Sequence, residues 1–195
     1  EVPMEMTGFG SWFVVFTDQQ TEKTSSILKN NFPEFQTLKT LDEVWSLEFC
    51  NKDMGPAGTI TMDNLASWTT FKEDKAKYYS GSALYTTNFN MEVIPESELF
   101  INLGDVGVMA EVKINGQEAG GTWMSPFRLN TEDLLRTGEN SLEIEVVNVW
   151  RNRLIGDKLL PDEDRDTWHL VDDIGPGEEP QASGLFGPVT IETYD

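Results

Sequence analysis

The sequence predicts an all-β protein, a jelly-roll β-sandwich with one or two short helices. Three observations carry that reading. Apolar and polar residues alternate over several short segments, the period of two that marks half-buried strands. Between two of these segments lies Asn115-Gly116, a pair that accepts the positive φ angles of a type I′ hairpin turn. Helical signals are few, whereas glycine and asparagine turns recur throughout.

Taken in order, the chain opens on an apolar run from Phe9 to Phe16, read as a strand buried on both faces. A polar, linker-like stretch from Thr17 to Asn31 follows, and residues 19–43 hold a candidate short helix with Ser25 or Ser26 as cap and Phe32-Pro33 as breaker. Trp45, Leu47 and Phe49 then lie opposite Val44, Ser46, Glu48 and Cys50 in the next strand. Tyr85, Thr87, Phe89 and Met91 share one face of a long strand starting near Tyr78. Leu99, Ile101 and Leu103 define another, and Ala110, Val112 and Ile114 run into the Asn115-Gly116 turn. The returning strand covers roughly residues 117–123. Asn130 to Leu135 carries a capping residue, early acids and two leucines, which predicts one or two helical turns stopped at Thr137-Gly138. Leu142, Ile144 and Val146 form a strand ending near Trp150, and Val189, Ile191 and Thr193 form the last. Residues 156–183, rich in Asp, Glu, Pro and Gly, read as a loop far longer than ordinary connections.

Composition narrows the function. The net charge of −20 repels phosphate backbones, so nucleic acid is excluded as a partner. An acidic surface suits neutral or cationic partners, uncharged sugars and divalent metal ions among them, or serves solvation alone. No apolar run approaches the ~20 residues of a membrane span. Cys50 is the only cysteine and His169 the only histidine, so neither an internal disulfide nor a His-cluster zinc site can form. The start at Glu1, without Met or signal peptide, reads as a processed or excised piece.

Several phrases carry a family resemblance. Tyr78-Tyr79-Ser80-Gly81-Ser82-Ala83-Leu84-Tyr85, Leu103-Gly104-Asp105-Val106 and the hairpin from Ala110 to Gly116 come first. Gly120-Gly121-Thr122-Trp123, Pro126-Phe127-Arg128, Asn148 to Asp157 and Ser183-Gly184-Leu185 continue in order. Their order resembles the C-terminal region of α-L-rhamnosidase-like glycoside hydrolases (family 106), and is distantly similar to the sugar-binding domain of β-galactosidase and β-glucuronidase relatives. The resemblance implies a galactose-binding-like sandwich over residues 44–195, a linker over 18–43, and over 1–17 the closing strand of a preceding domain. It further implies a catalytic barrel upstream as partner, a plant or microbial glycan as ligand, and an extracytoplasmic bacterial location. The expected role is a non-catalytic accessory domain, with an independent lectin-like module and a free-standing hydrolase as rivals.

Sugar binding needs aromatic faces for C–H-rich surfaces and planar polar groups for hydroxyls. Trp123, Trp150, Asn152, Arg153, Asp157, Trp168 and His169 cluster at loop ends in a way that suits a binding rim. Core packing of the tryptophans and an Arg153–Asp157 pair is the competing reading. Tyr78, Tyr79 and Trp68 are assigned to packing. Asp162, Asp164 and Asp166, with Asp172-Asp173, could supply oxygens to a structural calcium, or form a solvated acidic loop. Glu111, Glu143 and Glu145 alternate outward on strands, and no nucleophile–base pair is recognisable.

Overall fold

The computed structural model describes residues 32–131, 133–168, 174–175 and 177–194, together with Met4, Met6, 10–14 and Phe16. The described strands are, in chain order, β1 (Phe35–Thr40), β2 (Trp45–Phe49), β3 (Thr59–Met62), β4 (Ser82–Met91), β5 (Leu99–Asn102), β6 (Asp105–Val106), β7 (Met109–Ile114), β8 (Gln117–Thr122), β9 (Arg128–Asn130), β10 (Gly138–Val147), β11 (Leu185–Gly187) and β12 (Thr190–Tyr194). Two short helices accompany them, α1 (Asp74–Lys77) and α2 (Arg151–Lys158). One sheet has the order β3-β2-β4-β10-β7-β8, a second β1-β12-β5-β9, and β11 pairs with β6 in a small third. Every pairing between named strands is antiparallel.

Alternation decides which residues face inward. β10 pairs with β4 along its whole length and with β7 on its other side. Its Leu142, Ile144 and Val146 are buried against Tyr85, Phe89, Val112 and Ile114, while Ile101, Leu103 and Ile191 close the core from the four-stranded sheet. Each such side chain contributes about 1.5–3 kcal/mol of transfer free energy. Asn115 (φ 53°) and Gly116 (φ 77°) make the predicted hairpin turn. Gly104 (φ 68°) is required where the chain crosses itself, since a Cβ there would stand 2.4 Å from the carbonyl carbon of Gly187.

The two ends of the sandwich are closed differently. At the turn end, Asn140 is fully buried and satisfied: its Nδ2 donates to the carbonyls of Arg136 and Gly138, and its Oδ1 accepts from Asn115 Nδ2 and the Arg136 amide. At the opposite end, where β10 finishes, the chain turns directly into α2.

The alternating faces are as the sequence predicts, but five readings differ. The sandwich begins before residue 44, because β1 pairs with β12 from Phe35↔Tyr194 to Thr40↔Thr190. β1 was read as linker because it is an edge strand with both faces largely exposed and so carries no alternation. The candidate helix capped near Ser25 lies outside the described residues. The described residues of 130–135 form no helix: Thr131 is held to Leu99, a turn bond links Leu134 to Thr131, and Asp133 has φ 64°. β4 begins at Ser82, Tyr78 closing α1 instead. Within the apolar run, described residues 10–14 form no strand, and Trp12, Phe13, Val14 and Phe16 are exposed. Finally, the expected loop from residue 156 begins inside α2.

Candidate functional site

The helix end is built outward from β10. Thr122 of β8 opposes Ala110, and Ala110 opposes Val146 of β10, so Trp123 and Trp150 leave the sheet at the same end. Both are exposed, beside exposed Val108, Met124 and Val149.

Beneath them a set of buried polar side chains fixes the path of the chain. Asn148 Oδ1 accepts from the Gly81 amide at 2.8 Å, and its Nδ2 donates to Tyr79 O and Ser183 Oγ. Asn152 Nδ2 donates to Gln181 O at 2.7 Å, and the Gln181 amide returns the bond to Asn152 Oδ1. Ser80 Oγ accepts from the Arg153 amide and donates to Val149 O. α2 lies so close to Tyr78 that a Cβ on Gly156 would fall 2.6 Å from the Tyr78 Cβ.

Arg153 and Asp157 face each other along α2 with their side chains 6% and 4% exposed, Nη2 to Oδ1 at 2.9 Å. That contact is close enough for Coulomb attraction but is not aligned as a hydrogen bond. Arg153 Nη1 also stands 3.4 Å from Asp166. Asp157 Oδ2 accepts from the Thr167 amide at 2.8 Å and from the Thr167 hydroxyl. Arg165 Nε donates to the carbonyls of Asp157 and Leu160, and its Nη1 pairs with Asp162 at 2.6 Å. Thr167 and Arg165 thus fold the segment after α2 back onto the helix and present Trp168, 81% exposed, beside a cleft of about 360 Å³.

Deeper, Trp68 Nε1 donates to Tyr85 Oη at 2.6 Å and the Leu185 amide donates to the same oxygen. Burial pushes the Tyr85 hydroxyl up to about 12.

The expected rim therefore divides. Trp123, Trp150 and Trp168 are on the surface, whereas Asn152, Arg153 and Asp157 are buried and act as scaffold. The Arg153–Asp157 pair weighed from the sequence exists. Trp150 and Trp168 flank opposite ends of α2, about 12 Å of helix apart. His169, Asp172 and Asp173 lie outside the described residues. Asp162 and Asp166 are paired with arginines, and the described residues gather no group of three metal-ligating side chains. Glu111, Glu143 and Glu145 line an open groove of about 440 Å³ on the outer face of the six-stranded sheet. Trp68 and Tyr79 are core, as assigned; Tyr78 packs under Gly156. Ser80, Gln181, Ser183 and Thr167 were not legible as site-builders, because nothing local marks a serine or threonine that bonds a distant segment.

Stacking, hydrogen bonding and docking are what this arrangement offers. No family model matches the chain. Over 173 residues, 75% of the chain, it is 36% identical to a Formosa agariphila protein named as a β-glucuronidase. It superposes on a rhamnosidase from Novosphingobium sp. PP1Y with TM-score 0.75 and 32% identity over 85% of the chain. The chain is related to one domain of large glycoside hydrolases. It spans 15% of the Formosa protein and 16% of the rhamnosidase. A β-D-glucuronidase of Dictyoglomus thermophilum shares the fold, with TM-score 0.56 and 21% identity over 86% of the chain and 29% of its own.

Proposed function

We propose that this chain is a non-catalytic accessory domain of a larger, extracytoplasmic glycoside hydrolase, with its helix end turned toward the rest of the enzyme and the glycan it handles. The observation that carries the reading is the exposed apolar group Val108, Trp123, Met124, Val149 and Trp150 held over a buried polar scaffold. Large aromatic side chains on a rigid support are what recurs where a surface is later covered. The short share of each relative's length that the chain spans supports a domain embedded in a longer protein. A glycosidase's acid and nucleophile or base would then belong to that longer protein.

The test replaces Trp123 and Trp150 with alanine in the full-length enzyme and in this chain. The expected result is a fall in kcat/KM or in thermal stability of the enzyme, while the chain alone melts unchanged. An enzyme indifferent to both substitutions would overturn the reading. Aryl-rhamnoside and aryl-galactoside turnover by this chain alone, abolished by a single carboxylate substitution, would do so too.

A further inference from the structure

The cleft beside Trp168 stands apart from the Trp123–Trp150 surface, at the other end of α2. We propose that it is a subsite for a single neutral pyranose ring; this rests on the reading that the chain serves a carbohydrate-active enzyme. Three features point there. Trp168 offers an exposed indole face, which suits the C–H face of a pyranose, and Leu154 adds an apolar wall. Beside it, Asp162 and Arg165 hold an acceptor and a donor 2.6 Å apart. Adjacent ring hydroxyls, each able to donate and accept, match such a pair: one donates to Asp162 and its neighbour accepts from Arg165. Arg165 is already fixed through Nε by the Asp157 and Leu160 carbonyls, so little side-chain freedom is lost on binding.

The third feature is the floor. Asp157, 3% exposed, lines the cleft with Thr167, and its Oδ2 accepts from the Thr167 amide and hydroxyl, which fixes the wall of the cleft next to Trp168. The volume of about 360 Å³ is at the small end of ligand sites, in keeping with one ring rather than a chain. The two cations of the lining, Lys158 and Arg165, are matched in number by Asp157 and Asp162, so the recognition is of hydroxyls and not of a uronate carboxylate.

The experiment follows the six tryptophan indole N–H signals by heteronuclear NMR while methyl α-L-rhamnopyranoside, methyl β-D-galactopyranoside or sodium D-glucuronate is added to the 195-residue chain. Trp168 is assigned by its loss in Trp168→Phe. The expected result is a saturable shift of the Trp168 signal with at least one methyl pyranoside. Affinity should fall about tenfold in Trp168→Ala, fall also in Arg165→Lys, and stay unchanged in Val93→Ala, an exposed side chain just past the turn-end finish of β4. No Trp168 shift with any sugar, a shift confined to Trp123 or Trp150, or binding of glucuronate alone would overturn the subsite. Failure here with an enzyme that still depends on Trp123 and Trp150 removes the subsite and leaves the accessory role. A Trp168 response in a chain whose parent ignores those two residues does the reverse.

Discussion

Asn140 and Asn148 close opposite ends of β10, and they do so by different means. At the turn end the partners of Asn140 are mostly neighbours in sequence, Arg136 and Gly138, with Asn115 25 residues away. At the helix end the separations are long: 69 residues from Asn148 to Tyr79, 73 from Arg153 to Ser80, and 116 from Ser183 to Ser67. Long-range closure fixes three segments under one another and leaves tryptophans standing above them. The difference teaches where rigidity is directed toward contact with something else.

The most severe way to break the helix end is Trp68→Ala, whose ring is fully buried beneath it against Phe49 and Tyr79. Denaturant melts should show a loss of about 3–5 kcal/mol. Asp157→Ala leaves Arg153 buried with only Asp166 near, and is expected to lose about 3 kcal/mol. In hydrogen exchange its effect should fall on residues 159–168 and spare the Asn115-Gly116 turn. Asn140→Ala sharpens the contrast from the other side. It leaves the Arg136 amide and Asn115 Nδ2 without their shared acceptor, costing about 1–3 kcal/mol, with exchange rising at the turn and not in α2.

Alkaline pH tests the buried Tyr85 without mutation. Tyr85 ionises near 12 when folded against about 10 unfolded, so its contribution is fully present below pH 10. It is lost as pH rises through 12, amounting to about 2–3 kcal/mol. Melts at stepped pH, with tyrosinate absorbance as the second probe, should show a smaller alkaline loss in Tyr85→Phe than in the native sequence, the remainder coming from Tyr79 and Tyr194, which are raised as well. The smallest effect is expected from Trp123→Ala, within about 0.5 kcal/mol in the isolated chain. A larger loss would mean that its exposed ring supports the fold.

These two ends also mark what the sequence made legible. Strands such as β7 and β10 write their burial as alternation, and the Asn115-Gly116 turn announces itself, so the sandwich and its core face could be read directly. α2 could not. Trp150 supplies no side-chain cap, and three of the five buried residues of α2, Asn152, Arg153 and Asp157, are polar and break up the apolar stripe a helix usually shows. For the same reason those three were placed on the rim, when burial makes them its support. Trp123, Trp150 and Trp168 were found because large aromatics beside loop residues are conspicuous in any sequence. Their supports were not, because a serine at 80 or 183 acquires its meaning only from a partner far along the chain.

The pairing of the first and last described strands has a topological consequence. Phe35 and Tyr194 are direct partners, so the two places where the sheet hands over to flanking chain lie about one strand spacing apart, ~5 Å. A short peptide bridge between them would turn the sandwich into a ring, and new ends could be opened at the exposed Asn115-Gly116 turn without cutting through the core. Such a unit can be spliced into a surface loop of a host protein while asking of it little more than a gap one hairpin wide.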